Sequence, residues 1–295
     1  MKKVKKMLVD NAVIMAAGTS SRFAPLSYEK PKALIEVKGE VLIERQIKQL
    51  QASGIKEIYI VTGYMAEQFD YLKEKYGVYL IYNPFYLSRN NNSSIWVARN
   101  VIKNTYICSA DNYFSINPFE KEVSDAYYAG VFAEGHTDEW CMQEDADGNI
   151  IAVHVGGEKS WYMLGHTFWS ESFSKQFLEI LEQEYVLPET ADKLWEQLFI
   201  EHLDVLKMKI KKYAPSDIYE FDTLDELREF DTSYIANSRS LILKNVANRL
   251  LVAEADITGI KTIKGNDTAA IGFEFSAFGK RYTYYYDSKE IMSMK

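Results

Sequence analysis

The sequence predicts an α/β protein with a Rossmann-like, mixed but mainly parallel sheet flanked by helices, and a small C-terminal α+β appendage. Two patterns carry this prediction. In the first half of the chain, short β-branched runs alternate with amphipathic helical patterns, which is typical of parallel βαβ units. After residue 111, strand-like runs follow one another with turns between them, which predicts hairpins.

The first four strands and three helices are predicted in strict alternation. The strands are 11–17, 57–63, 78–83 and 105–111, and the helices are 41–54, 65–77 and 93–102. The first of these helices has apolar residues on one stripe and ends at Gly54. In such a fold the carboxyl ends of the parallel strands form the edge where open α/β sheets bind ligands.

The rest of the chain divides into a hairpin region, a helical region and the appendage. Strands are predicted at 126–134, 139–145, 149–155 and 161–169, with a turn at Asp147-Gly148, and helices at 171–187 and 190–203. A helix at 239–252 and strand-like runs at 255–265, 269–279 and 280–287 follow. Residues 1–232 carry 25 basic and 36 acidic residues, whereas residues 233–295 carry nine and six. We therefore predict a main domain over 1–232 and an appendage over 233–295.

Composition and charge exclude several classes of protein. With 47% hydrophobic and 26% charged residues the chain is not disordered, and its net charge of −8 argues against nucleic acid or an anionic membrane as partner. Only two cysteines occur, Cys108 and Cys141, as in a protein of the reducing cytoplasm. Asp10 and Asn11 interrupt the apolar run near the amino terminus, so it does not read as a signal peptide. We expect a cytoplasmic protein without a membrane partner.

A loop of small residues follows the first predicted strand. It reads AAGTSSRF over 16–23 and is followed by APLSYEKPKAL over 24–34. Small residues after a parallel strand let backbone amides approach a polyphosphate. Arg22 adds a forked donor suited to phosphate, and Lys32 follows Pro31, which favours extended backbone at the residue before it. The two cations predict a site that neutralises charge at an attacked phosphorus centre.

This run resembles the signature of the sugar-phosphate nucleotidyltransferase superfamily, AAGxGxR followed by PL and PKxL, with Ser20 in place of the second glycine. Within that superfamily the chain is most similar to bacterial CTP:phosphocholine cytidylyltransferases of the LicC type. The supporting stretches are GYMAEQFDYLKEKYGV (63–78), NNNSS (90–94), ADNY (110–113), TDEW (137–140), DKLWEQ (192–197) and IYEFDT (218–223). The resemblance implies the nucleotidyltransferase fold and the joining of CTP and phosphocholine into CDP-choline and pyrophosphate, by in-line attack on the α-phosphorus.

The resemblance also implies roles for individual residues. Arg22, Lys32 and Asp111 are the expected catalytic residues, with Lys32 bridging the donor and acceptor phosphates. Gly63 and Tyr64 follow a strand and are expected to place backbone groups against the cytosine ring. The full set of expected nucleotide-binding residues is Ala16, Ala17, Gly18, Thr19, Ser20, Gly63, Tyr64 and Asn91.

The expected cofactor is Mg²⁺, which accompanies a nucleoside triphosphate and prefers oxygen ligands. By the resemblance, Asp111 is the principal metal ligand and Asp222 the second, and Glu220 competes for metal or substrate. Each aspartate has an ordinary alternative. Asp111 can begin a turn after its strand, and either Asp222 or Thr223 can cap the helix predicted by LDELREF.

All five tryptophans lie within residues 96–195, so the predicted acceptor half of the protein is rich in aromatic residues. A quaternary ammonium has no hydrogen to donate and is recognised by aromatic faces and carboxylates. Trp140 and Trp195 match tryptophans in the motifs of the family that this chain resembles, and we predict a cage of these two rings with Asp192 on the helix face of Trp195, aided by Tyr219 and Glu220. The alternative is that these rings fill the core, which is our interpretation of the two tryptophans at 96 and 161.

Other functions stay open at this point. One alternative is a nucleotidyltransferase of the same fold that acts on a sugar phosphate, phosphoethanolamine or aminoethylphosphonate; the acidic and aromatic pocket favours an amino alcohol over a sugar. Another is a nucleotide-binding regulatory module without catalysis, against which the three expected catalytic residues argue. Residues 233–295 resemble the opening of a choline-kinase-like N-lobe over a short stretch, but we expect no kinase activity. An appendage that packs on the main domain or forms a homodimer contact is the other interpretation.

Overall fold

The computed structural model describes residues 6–265 and 270–294. The chain divides into two compact units, each discontinuous in sequence. The first unit combines the chain up to Gly18 with Leu42–Glu220, and the second combines Thr19–Val41 with Phe221 and the residues after it. The domain boundary near residue 233 stays a prediction.

The secondary structure of the described residues is as follows. The strands are β1 (Met7–Leu8), β2 (Asn11–Ala16), β3 (Glu36–Val37), β4 (Glu40–Val41), β5 (Ile58–Thr62), β6 (Tyr79–Tyr82), β7 (Thr105–Ser109), β8 (Tyr113–Phe114), β9 (Glu122–Val123), β10 (Tyr127–Glu144), β11 (Ile150–Trp169), β12 (Lys209–Tyr213), β13 (Ile218–Tyr219), β14 (Thr258–Lys264), β15 (Ala270–Ala277), β16 (Lys280–Tyr285) and β17 (Ile291–Ser293). The α-helices are α1 (Leu26–Glu29), α2 (Leu42–Ala52), α3 (Tyr71–Tyr76), α4 (Asn92–Ala98), α5 (Glu171–Glu184), α6 (Trp195–Glu201), α7 (Leu224–Phe230), α8 (Ser233–Ala236) and α9 (Leu241–Leu250). Short 3₁₀ turns lie at Ser21–Phe23, Lys32–Leu34, Ala66–Phe69, Pro188–Thr190 and Glu254–Asp256.

The first unit is built on one mixed sheet with the strand order β12-β10-β11-β7-β2-β5-β6. The neighbours β7, β2, β5 and β6 are parallel, as are β10 and β12. β11 runs antiparallel to both of its neighbours, β7 and β10. The predicted mixed, mainly parallel sheet is therefore confirmed.

The alternating elements of the first half are confirmed, with small shifts at their ends. Helix α2 buries the four residues of its predicted apolar stripe: Leu42, Ile43, Ile47 and Leu50. The helix predicted over 65–77 is instead a 3₁₀ turn followed by α3. α3 ends at Gly77, whose φ of 68° places it in the left-handed region that glycine adopts readily.

The prediction of four separate strands between residues 126 and 169 is wrong. These runs form two long strands, β10 with 18 residues and β11 with 20, which pair as one hairpin. The ladder is not interrupted, because shifts in register between Ala133 and His136, and again between Thr137 and Trp140, absorb extra residues as bulges. The predicted hairpin turn is confirmed, with Gly148 at a φ of 81°.

A hydrophobic core joins the sheet of the first unit to α4, α5 and α6. At its centre Trp169 lies between two other rings, with its centroid 4.5 Å from that of Phe177 and 5.1 Å from that of Trp195. Trp96 is half-buried at its edge and stacks on Tyr185 with 4.2 Å between centroids. Packing of such large rings fixes where α5 and α6 lie against the sheet.

The second unit contains the antiparallel sheet β14-β15-β16-β17, the hairpin β3-β4 and the helices α1 and α7 to α9. The expected α+β character of the C-terminal residues is confirmed, although the short strand β17 was not predicted. Residue 269, at the start of the predicted run 269–279, lies outside the described residues. Phe273, Phe275 and Tyr284 form the buried side of this sheet.

Among the described residues, no helix is long and apolar enough to cross a lipid bilayer. Cys108 and Cys141 are both buried and unbridged in this part of the chain. The cytoplasmic location stays a prediction.

Candidate active site

Two neighbouring parallel strands carry the first part of the predicted nucleotide loop. β2 ends at Ala16, and the amide of Tyr64, just beyond β5, donates to the carbonyl of Ala17 at 3.0 Å. A Cβ on Gly63 would stand 2.8 Å from that carbonyl oxygen and 2.7 Å from the ring of Tyr86. The structure therefore brings the two predicted nucleotide-binding loops of this unit together, and the approach depends on glycine at 63.

The signature residues that follow have distinct environments. Gly18 is exposed, and a Cβ at this position would meet no other atom within 4 Å. Thr19 is partly buried. Ser20, at the position where the signature has glycine, adopts the left-handed conformation with φ 47° and ψ 44°. A side chain in that region costs about 1–2 kcal/mol, which explains why glycine suits the position.

Arg22 and Lys32, the two predicted cations, share the carboxylate of Asp222. The Nη1 atom of Arg22 lies 2.8 Å from Oδ2 of Asp222, and the Nζ atom of Lys32 lies 3.8 Å from Oδ1. The side chain of Arg22 is 73% exposed, whereas that of Lys32 is only 4% exposed. Both cations therefore lie around a single anionic group, and both are of types that pair with phosphate; their role as phosphate ligands stays a prediction.

The capping alternative for Asp222 is wrong, because Thr223 is the residue that caps α7. The Thr223 hydroxyl accepts from the amide of Glu226 at 3.2 Å, and the Glu226 carboxylate accepts from the amide of Asp222 at 2.7 Å. The carboxylate of Asp222 itself points to the two cations. Its oxygens are of the type that Mg²⁺ prefers.

Asp111 lies two residues beyond the end of β7, in a turn, and is partly buried. Its neighbour Asn112 is 1% exposed and donates from Nδ2 to Oε2 of Glu220 at 3.3 Å. Pairing of β8 with β13 sets Tyr113 opposite Tyr219. The structure thus brings three predicted site residues, Asp111, Tyr219 and Glu220, to one place.

Within the described ranges, no group of three or more histidine, cysteine, aspartate or glutamate side chains is arranged to hold a metal ion. Mg²⁺ bound with a nucleotide takes waters and phosphate oxygens as most of its ligands, so one or two carboxylates are enough. Asp111 belongs to the first unit and Asp222 to the second, and the carboxylate oxygens of each are of the type that this ion takes. Their role as metal ligands stays a prediction.

The three residues of the predicted choline cage lie in different environments. Trp140 is half-buried on β10, opposite Val155. Trp195 is 1% exposed and stacks on Tyr128 with 5.8 Å between centroids, which is a core position. Asp192 is exposed in the turn before α6, so the expectation that it shares a helix face with Trp195 is wrong. In the part of the chain that the structure describes, no ring contact joins Trp140 to Trp195, and the cage stays a prediction.

Three consecutive asparagines explain why α6 begins at residue 195 rather than at 190. They bind the backbone of the turn, which is thereby held out of helical conformation. The bonds run from Asn90 Nδ2 to the Asp192 carbonyl at 3.0 Å, from Asn92 Nδ2 to the carbonyls of Thr190 at 2.8 Å and of Lys193, and from the Trp195 amide to Asn91 Oδ1 at 2.7 Å. Asn91 therefore has a structural part here, and its contact with a nucleotide stays a prediction.

Comparison with known proteins places this geometry in a family. Residues 12–115 match the MobA-like NTP transferase domain. Over 220 residues, which are 75% of this chain and 96% of the relative, the chain is 32% identical to the choline-phosphate cytidylyltransferase of Streptococcus pneumoniae. Over 234 residues, 78% of this chain and 95% of the relative, it is 36% identical to the 2-aminoethylphosphonate cytidylyltransferase of Lancefieldella rimae. This chain belongs to the cytidylyltransferase family.

Solved structures agree with the assignment of this chain to the cytidylyltransferase family. The CTP:phosphocholine cytidylyltransferase from Streptococcus pneumoniae matches with a TM-score of 0.73 at 32% identity, over 77% of this chain and 99% of the other. The inositol-1-phosphate CTP transferase from T. maritima matches with a TM-score of 0.58 at 12% identity, over 75% and 93%, and shows the fold alone. The expected nucleotidyltransferase fold and enzyme class are confirmed.

Glu196 of this cytidylyltransferase was not among the site residues that the sequence predicted. It lies in the first turn of α6, where Oε2 accepts from Asn91 Nδ2 at 3.0 Å and Oε1 accepts from the Tyr128 hydroxyl at 3.4 Å. Burial raises the pKa of Glu196 to about 7, and the bonds from Asn91 and Tyr128 offset this only in part. No basic side chain of the described residues acts on its pKa. Its place beside Trp195 in DKLWEQ was the one signal available.

Tyr128, which binds this carboxylate, is also acted on electrostatically by Glu220. Burial raises the pKa of Tyr128 well above its ordinary value, and the negative charges of Glu196 and Glu220 raise it further. Both carboxylates therefore lie near the same ring, and Glu220 also binds the residue after Asp111. We call Glu196, Glu220 and Tyr128 the acidic wall.

Among the histidines, His166 is fully buried and shares a hydrogen bond of 2.9 Å with the Tyr127 hydroxyl. Burial, and then the charge of Lys211, lowers the pKa of His166 to about 3, so the ring is neutral near pH 7. This is a structural histidine of the core.

Proposed function

We propose that this cytidylyltransferase joins CTP and phosphocholine to give CDP-choline and pyrophosphate. The phosphate of phosphocholine attacks the α-phosphorus of CTP in line, and pyrophosphate leaves with the electrons of the bond that breaks. The observation that carries the proposal is that Arg22 and Lys32, the two cations of the signature segment, both lie beside the carboxylate of Asp222. Its support from relatives is the match to the pneumococcal choline-phosphate cytidylyltransferase over nearly all of that protein.

The chain contributes position and charge to this reaction. Phosphate oxygens replace Asp222 as the partners of Arg22 and Lys32 when CTP binds. The ammonium of Lys32 is nearly fully buried, so its attraction to a phosphate is screened less by water than that of an exposed lysine. Lys32 therefore serves as the bridge between the donor and acceptor phosphates.

The nucleotide base is placed by backbone groups. Gly63 and Tyr64 lie against the carbonyl of Ala17, and no atom lies within 4 Å of the position that a Cβ on Gly18 would take. Mg²⁺, when bound with the triphosphate, supplies positive charge that offsets the phosphates. Asp111 and Asp222 are the residues proposed to hold it.

The quaternary ammonium of phosphocholine is recognised by the acidic wall together with Trp140 and Tyr219. A desolvated carboxylate such as Glu196, with no cation from the described residues acting on its pKa, is stabilised by a cationic ligand. A second candidate acceptor is 2-aminoethylphosphonate. The Lancefieldella relative favours it, and a primary ammonium can donate three hydrogen bonds to carboxylates.

The test is a panel of the four nucleoside triphosphates against phosphocholine, 2-aminoethylphosphonate, phosphoethanolamine and glucose 1-phosphate, read by pyrophosphate release. We expect the highest kcat/KM with CTP and phosphocholine, and a loss of about 100-fold or more in Lys32→Ala. Lys30→Ala, an exposed lysine of the same segment, is the matched control and is expected to keep full activity. A higher kcat/KM for 2-aminoethylphosphonate would transfer the assignment to that acceptor. Equal turnover of glucose 1-phosphate would refute an amino-alcohol acceptor.

A further inference from the structure

We propose that the C-terminal residues beyond 232 position the phosphate-binding segment Thr19–Val41, and that Thr262 is the positioning residue for the turn that carries Arg22. The inference rests on the proposed function in one respect, that this segment binds the phosphates of CTP. It concerns contacts within the second unit, which contains both parts of the chain. Nothing in the family signature predicts it.

The first contact holds the signature turn. The hydroxyl of Thr262, on β14, donates to the carbonyl of Ser21. Ser21 begins the 3₁₀ turn that presents Arg22, directly after Ser20 in its left-handed conformation. Because this conformation is unfavourable for serine, the turn needs contacts that keep it in place, and the bond from Thr262 is one of them.

The second contact lies at Glu29, in the middle of the segment. Its carboxylate accepts from the Ser240 hydroxyl at 2.5 Å and from the amide of Leu241 at 2.8 Å. These groups stand at the amino-terminal end of α9, a helix of 10 residues, where an acidic side chain is favoured by unpaired amides and the helix dipole. The segment thus caps a helix of the C-terminal part.

The third contact is between two tyrosines. The rings of Tyr28 and Tyr286 stack with 3.7 Å between centroids and an angle of 9° between planes. Tyr286 is 6% exposed and belongs to the buried side of the C-terminal sheet. Such a stack adds to the apolar burial that ties α1, and with it the segment, to the sheet.

The far end of the segment is held as well. The carbonyl of Glu36 accepts from the Tyr234 hydroxyl at 2.5 Å and from Arg239 at 3.1 Å. Contacts with the C-terminal residues therefore run along the segment from Ser21 to Glu36, and Lys32 lies between them.

This chain is longer than the two cytidylyltransferases named above. They are matched over 96% and 95% of their own lengths but cover only 75% and 78% of this chain. We infer that the C-terminal sheet is part of the nucleotide site's support rather than an independent module.

The test compares Thr262→Val, which removes the hydroxyl and keeps the shape, with Thr262→Ser, which keeps the hydroxyl. We expect Thr262→Val to weaken CTP binding and to lower kcat/KM for CTP about fivefold, the effect of one lost hydrogen bond, with KM for phosphocholine unchanged at saturating CTP. Thr262→Ser should restore both values to within about twofold. Thr258→Val, an exposed threonine on the same strand, is the matched control and should behave as the wild type.

CTP binding is measured by calorimetry on the full chain, separately from pyrophosphate release. If the wild type binds CTP but turns over no acceptor, the proposed function fails while the CTP affinities of the variants still decide the inference. Equal CTP affinity in the wild type and Thr262→Val would overturn the inference, as would a loss in Thr262→Ser as large as in Thr262→Val. A wild type that binds no CTP would overturn both.

Discussion

Replacing Glu196 by glutamine is expected to stabilise the protein above pH 7 and to leave its stability near pH 5 almost unchanged. The carboxyl lies in a half-buried position between Asn91 and Tyr128. Burial raises its pKa from the ordinary 4.5 to about 7. The folded protein therefore holds this proton in a pH range where the unfolded chain has already lost it.

The sign and size of the effect follow from this difference. The contribution of Glu196 to stability is full below pH 4.5 and is lost as the pH rises through about 7. From the fully protonated to the fully ionised carboxyl, the difference between the folded and unfolded pKa values changes the free energy of unfolding by at most about 3 kcal/mol. About 2 kcal/mol of this change falls between pH 5 and pH 8. Glutamine has no proton to lose, so the variant keeps this contribution at pH 8.

The assay is urea unfolding of both proteins at pH 5, 6, 7 and 8, with the free energy of unfolding extrapolated to water. We expect the advantage of Glu196→Gln over the wild type to grow by about 2 kcal/mol from pH 5 to pH 8. Glu201→Gln is the matched control on the same helix, because Glu201 is paired with Lys193 at 2.6 Å and should show no such gain. If the wild type and Glu196→Gln have the same dependence on pH, the carboxylate is not desolvated and the reasoning is refuted.

Two further predictions concern the glycine and serine of the nucleotide loops. Gly63→Ala should destabilise the protein by about 1–3 kcal/mol and raise KM for CTP, because its Cβ would stand 2.7–2.8 Å from the Tyr86 side chain and the Ala17 carbonyl. Thermal unfolding and initial rates measure this, and Gly135→Ala, where a Cβ meets no atom within 4 Å, should leave both unchanged. Ser20→Gly should raise stability by about 0.5–1 kcal/mol, since relief of the left-handed strain exceeds the entropy that glycine costs. Calorimetric unfolding tests it, and a stability below that of the wild type would contradict the left-handed conformation at Ser20.

Short-range sequence patterns determined the scaffold of this enzyme. Alternation of β-branched and amphipathic runs predicted β2, α2, β5, β6 and β7, because periodicity reports directly which side of an element is buried. The signature run predicted a phosphate loop after β2, and it selected Arg22 and Lys32 as a pair. The prediction of these strands and of this helix is confirmed because each depends on residues that are close in the sequence, whereas phosphate binding by the loop stays a prediction.

Contacts between distant residues were decided by the tertiary structure alone. Local patterns predicted breaks within β10 and β11, but cross-strand bonds with bulges kept each of them continuous. A helix was predicted from residue 190, yet asparagines a hundred positions earlier bind that backbone and delay the helix to Trp195. The environment of Glu196 arises in the same way, from Asn91 and Tyr128.

The sequence by itself determined the fold class and the family, and it selected the segment that we propose to bind phosphate, since local pattern and signature suffice for these. Only the tertiary structure decided that Asp222 is the partner of Arg22 and Lys32 while Thr223 caps α7, and that Thr262 holds the turn of Ser21. The physical reason is that hydrogen bonds and desolvation depend on distance in space, and residues 21 and 262 become neighbours only when the chain has folded.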